Sequence, residues 1–545
     1  MKTNKLIYIP IFAIALFIGA CKKDLDVKNP NEPKIEDVRS EPGIIAFAQG
    51  AVYQNGFNGV DPSGLNTLGS GFFSSGYQYQ ELLADVISAT ASNQNINVVN
   101  LPEYAILDDG TKLSATATQR SLLRISNQRS SRSSNVFYYE WAYMYSLNNA
   151  CNNILQQLPN VKFTGDAASK MNTIKAWAYF WKGYAYSRIG SLYYAGLIID
   201  NTFTVGVTPL NNKYVDRNAI IAEAAKNLNL ASTALSAVTN QGDYSTVLSS
   251  LIPAFLQQGH GGVLTTTEWK HSINTLKARN ILVNKKVSDM TTTDWNAILT
   301  LTTDGVQNGE SVFTARTTPT NGFLAVTNGS VAAQTTGSST FSISERFIQE
   351  YKAGDKRLTN NFTKRTKLNS TGGFTFSTRY RLSNGGNGLP GVIVYSDRTA
   401  GNYELYISSN YEENALMMAE ALINTGNVEQ GLALVDAIRT YQGAGLSPVA
   451  GTGLSVAQAE EELRRERRVS LVFRGVSFYD YRRFGFIYDI SKGGGRTNAV
   501  VLTSTGQLNT KATINYNFLD YFDVPADETD LNPPAAGSAP VVNPN

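Results

Sequence analysis

Leu463-Arg464-Arg465-Glu466-Arg467-Arg468-Val469-Ser470-Leu471-Val472-Phe473-Arg474-Gly475, continuing as Val476-Ser477-Phe478-Tyr479-Asp480-Tyr481-Arg482-Arg483-Phe484-Gly485, is the stretch on which the reading of this chain turns. Just before it, Ser455-Val456-Ala457-Gln458 has the spacing of a helix capping box, in which the first hydroxyl and the later amide satisfy each other's backbone N–H groups. The arginines of residues 464–468 admit two readings. One is a patch for an anionic ligand or nucleic acid. The other is a partly buried network with Glu460, Glu461, Glu462, Glu466 and Asp480, and alternating signs along a helix favour the network.

Working outward, apolar residues recur at helical spacing. Phe137, Trp141, Met144 and Tyr145 form one stripe, and Ile174, Trp177, Ala178, Trp181 and Ala185 form the next. Pro159 to Gly165 separates them, which predicts an antiparallel pair. Further helices are expected over Asn218–Leu235, from Trp269 to about Val283, and around Trp295 to Val306. The cleanest pair runs over Glu412–Ile423 and Val428–Ile438, with Asn424-Thr425-Gly426-Asn427 as the turn. Each pair is close in length to a tetratricopeptide-like unit, without a legible consensus. From about 311 to 408, Gly, Ser, Thr and Asn dominate, with alternating stretches such as Gly373-Phe374-Thr375-Phe376 and Val392-Ile393-Val394-Tyr395. That segment reads as a loop-rich insertion with short hairpins. The tail from Pro533 is expected to fray.

The first residues carry an address. Lys2 and Lys5 precede an apolar run from Leu6 to Ile18, and Gly19-Ala20-Cys21 places small residues before a cysteine. This is a secretory signal of bacterial lipoprotein type, with cleavage before Cys21 and lipid on its thiol. The expected organisation is therefore a signal over 1–20, a lipidated tether over 21–40 and one domain over 41–545. Only two cysteines exist. With Cys21 lipidated no disulfide can form within the chain, and Cys151, in an apolar stretch, reads as a small buried hydrophobe.

The stretch over 463–485 resembles the C-terminal hallmark of the SusD/RagB family, an E-R-R-x-E-L-x-F-E-G-x-R-x-x-D-L-x-R-W-G type segment. Glu466, Arg467, Leu471, Phe473, Gly475, Asp480, Arg483 and Gly485 fit it, and Phe484 changes the aromatic. Ser470 and Arg474 stand where the family usually has Glu, and Ser477 where it usually has Arg. Other stretches agree in order and spacing, among them Trp141–Leu158, Ala176–Leu197, Asn274–Leu282, Met417–Arg439 and Val524-Pro525-Ala526-Asp527-Glu528. The resemblance implies a mostly α fold: a helical bundle with four divergent tetratricopeptide-like pairs and an irregular, loop-rich ligand face. It also implies a lipid-anchored outer-membrane receptor, facing the exterior, that captures a glycan for a TonB-dependent transporter of the SusC type. A peptide ligand of the RagB kind is the alternative; a structural adhesin or a glycosidase is less favoured.

A sugar receptor needs aromatic faces flanked by polar side chains. The stretches corresponding to the family's ligand loops offer Phe72, Phe73, Tyr77, Tyr79, Asn93, Tyr104, Asn321 and Phe323, each of which can instead serve local packing. No Trp lies in them. A net charge of +3 on 545 residues gives no broad footprint for nucleic acid. Two histidines, His260 and His271, and no paired Cys ligands argue against a His-based metal site or triad, so neither an enzyme nor a cofactor is expected. Counting cannot exclude two catalytic carboxylates among 44 acidic residues.

Overall fold

The structure, a computed structural model, describes residues 35–53, 76–89, 95–201, 211–316, 341–368, 376–383 and 404–545. Stretches with helical spacing are helices. α1 (Glu41–Val52), α2 (Gln78–Leu83) and α3 (Gln119–Ser126) precede the long pair α4 (Tyr138–Gln157) and α5 (Ala167–Leu192). Then come α6 (Arg217–Ser236), α7 (Gln241–Leu251), α8 (Thr266–Val283) and α9 (Thr292–Thr303). α10 (Tyr411–Asn424), α11 (Val428–Tyr441), α12 (Val456–Ser470) and α13 (Ser477–Arg483) follow the insertion. Side-chain caps fix several starts. Asp166 accepts from the N–H groups of Ala168 and Ser169 at α5, and reciprocal capping boxes form at Thr265/Glu268, Thr291/Asp294 and the expected Ser455/Gln458.

α5 is the centre of the helical body, packed along α4 and α6. The approach to α6 needs a missing side chain: a Cβ on Gly183 would lie 2.6 Å from the Leu228 side chain. On its other side Trp177 meets Phe313 edge-on at 5.7 Å between ring centroids, and Trp269 from α8 meets the same ring at 5.2 Å. All five tryptophans are buried. So is Cys151, whose thiol is pushed up to about 12 by that burial, as a small hydrophobe should be.

Short strands knit distant segments together. β1 (Ile87–Ala89), β2 (Tyr104–Ile106), β3 (Lys112–Ser114), β4 (Ala195–Gly196) and β5 (Val215–Asp216) lie in the first half. β6 (Thr314–Arg316), β7 (Phe341–Ile343), β8 (Phe362–Leu368), β9 (Thr378–Leu382) and β10 (Glu404–Tyr406) belong to the insertion, and β11 (Arg496–Leu502) and β12 (Leu508–Asn515) follow α13. β11-β12-β2-β3 form one antiparallel sheet, with Asn515 opposite Tyr104 and Tyr104 opposite Ser114.

Three expectations meet the structure differently. The four-stranded sheet was not foreseen. The tail does not fray: the N–H groups of Ala535 and Ala539 donate to the carbonyls of Asn212 and Tyr214, each at 2.9 Å. Farther along, Asn543 is 1% exposed and donates to Asp520 and Asp523. Partners far back in sequence satisfy the backbone that composition alone leaves open. Finally, a helical turn at Ile35–Val38 falls within the stretch expected as tether. Residues 1–34, Gly373 to Thr375 and Val392 to Tyr395 lie outside the described residues. Among those described, no helix is long and apolar enough to cross a membrane.

Candidate functional site

The arginines of α12 and α13 are held by carboxylates and backbone carbonyls, and the network reading holds for Glu461, Glu462, Glu466 and Asp480, while Glu460 forms no ion pair among the described residues. Glu466, 2% exposed, takes Arg357 at 2.6 Å and Arg439 at 2.8 Å. Burial pushes its carboxyl up, but the Arg357 and Arg439 guanidiniums outweigh that and hold it at about 2. Glu350 is the second hub, with Arg464 and Arg496 both at 2.7 Å, and is likewise held at about 2 against its burial. Asp480 takes Arg467 at 3.0 Å and Arg483 at 2.7 Å, and Arg483 also reaches Glu420. The positions that depart from the family pattern are accommodated within this web. Arg474 pairs with Glu412 at 2.7 Å, Ser470 donates to Glu466, and Ser477 donates to Glu81 at 2.8 Å. A guanidinium engaged by a buried carboxylate is not offered to an anionic ligand.

Of the candidate ligand residues, Phe72, Phe73, Asn93, Asn321 and Phe323 lie outside the described residues, as does Cys21. Tyr77 and Tyr79 are 2% and 4% exposed, which corrects their reading as stacking platforms. The Tyr77 hydroxyl donates to the Tyr406 carbonyl. Its ring fills the space a Cβ on Gly475 would need, 2.9 Å away, and burial pushes its phenol up to about 12. Tyr79 lines a small cavity with Val136, Leu192 and Phe522. Tyr104 is half-buried on β2, with the Lys112 ammonium 4.1 Å from its ring centroid. His271 meets Glu310 at 2.7 Å, and the His260 ring lies 6.0 Å from that of Tyr406. Among the described residues no three His, Cys, Asp or Glu gather to hold a metal.

What the structure does assemble is the base of the loop-rich face. Ala89 pairs with Phe341, so the chain leaving β1 and the chain entering β7 meet. Arg316 pairs with Glu404, which joins the ends of β6 and β10. Tyr77 ties the entry to α2 to β10 through Tyr406. β8 and β9 pair antiparallel, and β9 packs on β7. Described residues as far apart in sequence as Tyr77 and Tyr406 are thus brought together by these strand pairs and this hydrogen bond. Beside them, Arg474 stacks on the Tyr406 ring at 4.4 Å, and the Glu404 carboxylate accepts the N–H groups of His260 and Gly261. Sequence reasoning missed Arg474 and Tyr406; the departure from Glu at 474 was the available signal.

No curated protein matches the sequence. Residues 284–535 match the model of the SusD family. Among solved structures, a SusD superfamily protein from Bacteroides fragilis aligns with a TM-score of 0.57 at 15% identity, covering 91% of this chain and 99% of its own. A SusD-like carbohydrate binding protein from Bacteroides fragilis aligns at 0.52 and 13% identity, over 84% and 99%. A protein solved with xylogluco-oligosaccharide aligns at 0.56 and 14% identity, over 92% and 99%. At such identities the likeness speaks for the fold: a mostly helical body with small sheets. Residues 284–535, which carry the hallmark stretch, match the SusD family model, and the chain shares its mostly helical fold with SusD superfamily structures.

Proposed function

We propose that this protein is a receptor that captures a glycan at the outer face of the bacterial outer membrane and hands it to a TonB-dependent transporter of the SusC type. The observation that carries the reading is the pairing of β1 with β7 and of β6 with β10 on a mostly helical body, in a fold whose solved examples include a carbohydrate binding protein and one solved with xylogluco-oligosaccharide. Cys21 supplies the anchor through its lipid, and the helical body is left to meet the transporter. The protein binds without catalysis.

The test is calorimetry of the form lacking residues 1–21 against plant, fungal and host polysaccharides and against peptide mixtures, with product analysis alongside. Saturable binding to one glycan class without product supports the receptor. Binding to peptides alone moves the nutrient to the peptide branch, and released product overturns the non-catalytic reading. For the anchor, Cys21→Ala is expected to move the protein out of the membrane fraction; continued membrane association refutes lipidation there.

A further inference from the structure

α5 has two opposed faces. Residues three and four apart share a side of a helix, so Tyr179, Lys182 and Tyr186 lie together, opposite Trp177, Trp181 and the Phe313 contact. Against the Tyr179–Lys182 face, α4 and α6 leave an open cleft of ≈ 590 Å³, within the roughly 300–1,000 Å³ of ordinary small-molecule pockets. It sits on the side of α5 turned away from β6, apart from the base of the loop-rich face.

The cleft is polar at its floor and apolar along its walls. Lys182, whose side chain is only 3% exposed, donates to Asn152 and to Asp200 at 3.1 Å. Lys226 holds the other Asp200 oxygen at 3.4 Å and Glu223 at 3.0 Å. Two ammoniums are thus matched by two carboxylates, and the site has no net charge to offer an ion. The Asp200 carboxylate is half open and has accepted one bond on each oxygen, out of about four sites. Asn227, 2% exposed, gives its amide N–H groups to the Glu223 carbonyl and carboxylate, and its own Oδ1 accepts nothing among the described residues. The walls are the half-buried Tyr179 ring and the side chains of Leu155 and Leu230.

We propose that this cleft between α4, α5 and α6 is a binding site for a neutral sugar. A pyranose has the matching surface: C–H faces for Tyr179 and the leucines, and vicinal hydroxyls that donate to Asp200 and Asn227 and accept from Lys226. An anion would meet Asp200, and an apolar ligand would strand the floor's polar groups.

The experiment is hydroxyl-radical footprinting of the form lacking residues 1–21, with maltotriose, cellotriose and xylotriose as probes and glutamate as the charged control. Protection of Tyr179, Leu155 and Leu230 by at least one trisaccharide is expected. Tyr179→Ala and Asp200→Asn should each weaken that trisaccharide about tenfold. Protection by glutamate alone overturns the ligand class. No protection of these three residues at saturating sugar overturns the site, and sugar protection confined to other segments does so while leaving the receptor reading intact.

Discussion

Glu466 and Glu81 are equally hidden, at 2% and 0% exposure, and lie against the same stretch of chain. Their surroundings differ in one respect. Glu466 on α12 faces Arg357 and Arg439. Glu81 on α2 faces the turn after α12, where neutral groups donate to it: the Phe473 N–H at 3.1 Å and the Ser477 hydroxyl. Burial pushes the Glu81 carboxyl up to about 8, and those hydrogen bonds and the charge of Arg468 recover only part of the cost. The same burial is overridden at Glu466, which is held at about 2. What decides the charge of a buried carboxylate is its partner, and the position where the family usually carries Arg is Ser477 here.

The largest effect that could break this contrast belongs to the charged side. Arg357→Met leaves Glu466 buried beside a single guanidinium, and a loss of about 3–5 kcal/mol is expected in urea unfolding. A loss below about 1 kcal/mol would mean that the network adds little to stability. Next comes the pH dependence. The folded Glu81 carboxyl lies above its unfolded value of 4.5, so its contribution is fully present below pH 4.5 and is lost as pH rises toward about 8. By linkage the loss near pH 7 is about 3 kcal/mol. Glu81→Gln should flatten this decline, while the unaltered protein shows it; parallel curves would refute the assignment. Glu466 has the opposite sign: its contribution is present above pH 4.5 and is lost as pH falls toward about 2. The smallest effect sharpens the contrast between buried and exposed groups on one helix. Ser455→Ala removes the solvent-exposed cap of α12 and should cost about 1 kcal/mol with no change in pH profile, read from thermal melts.

Helices were the legible part of this sequence because their signals are local. The stripe through Trp177 and Trp181, the break at Pro159–Gly165 and the capping box at Ser455 all sit within a turn or two of what they specify. The four-stranded sheet was not legible, since β2 and β12 are some 400 positions apart and the three-residue strands β2 and β3 have no period to read. The same distance hid the fate of Tyr77 and Tyr79. Their aromatic, polar neighbourhood looks like a ligand loop until Gly475 and Tyr406 are brought against Tyr77. Tyr104, the candidate left with part of its ring at the surface, sits on the unforeseen sheet. The polar face of α5 was readable in principle, as Tyr179, Lys182 and Tyr186 share a helical side, but Asp200 and Lys226 arrive from later segments.

The pairing of β1 with β7 and of β6 with β10 also bears on how such a protein changes over generations. With both ends of an intervening segment clamped by a strand pair, doubling its length adds only about 0.6 kcal/mol of closure entropy. Length can then vary by insertion or deletion between fixed clamps without disturbing the ion network.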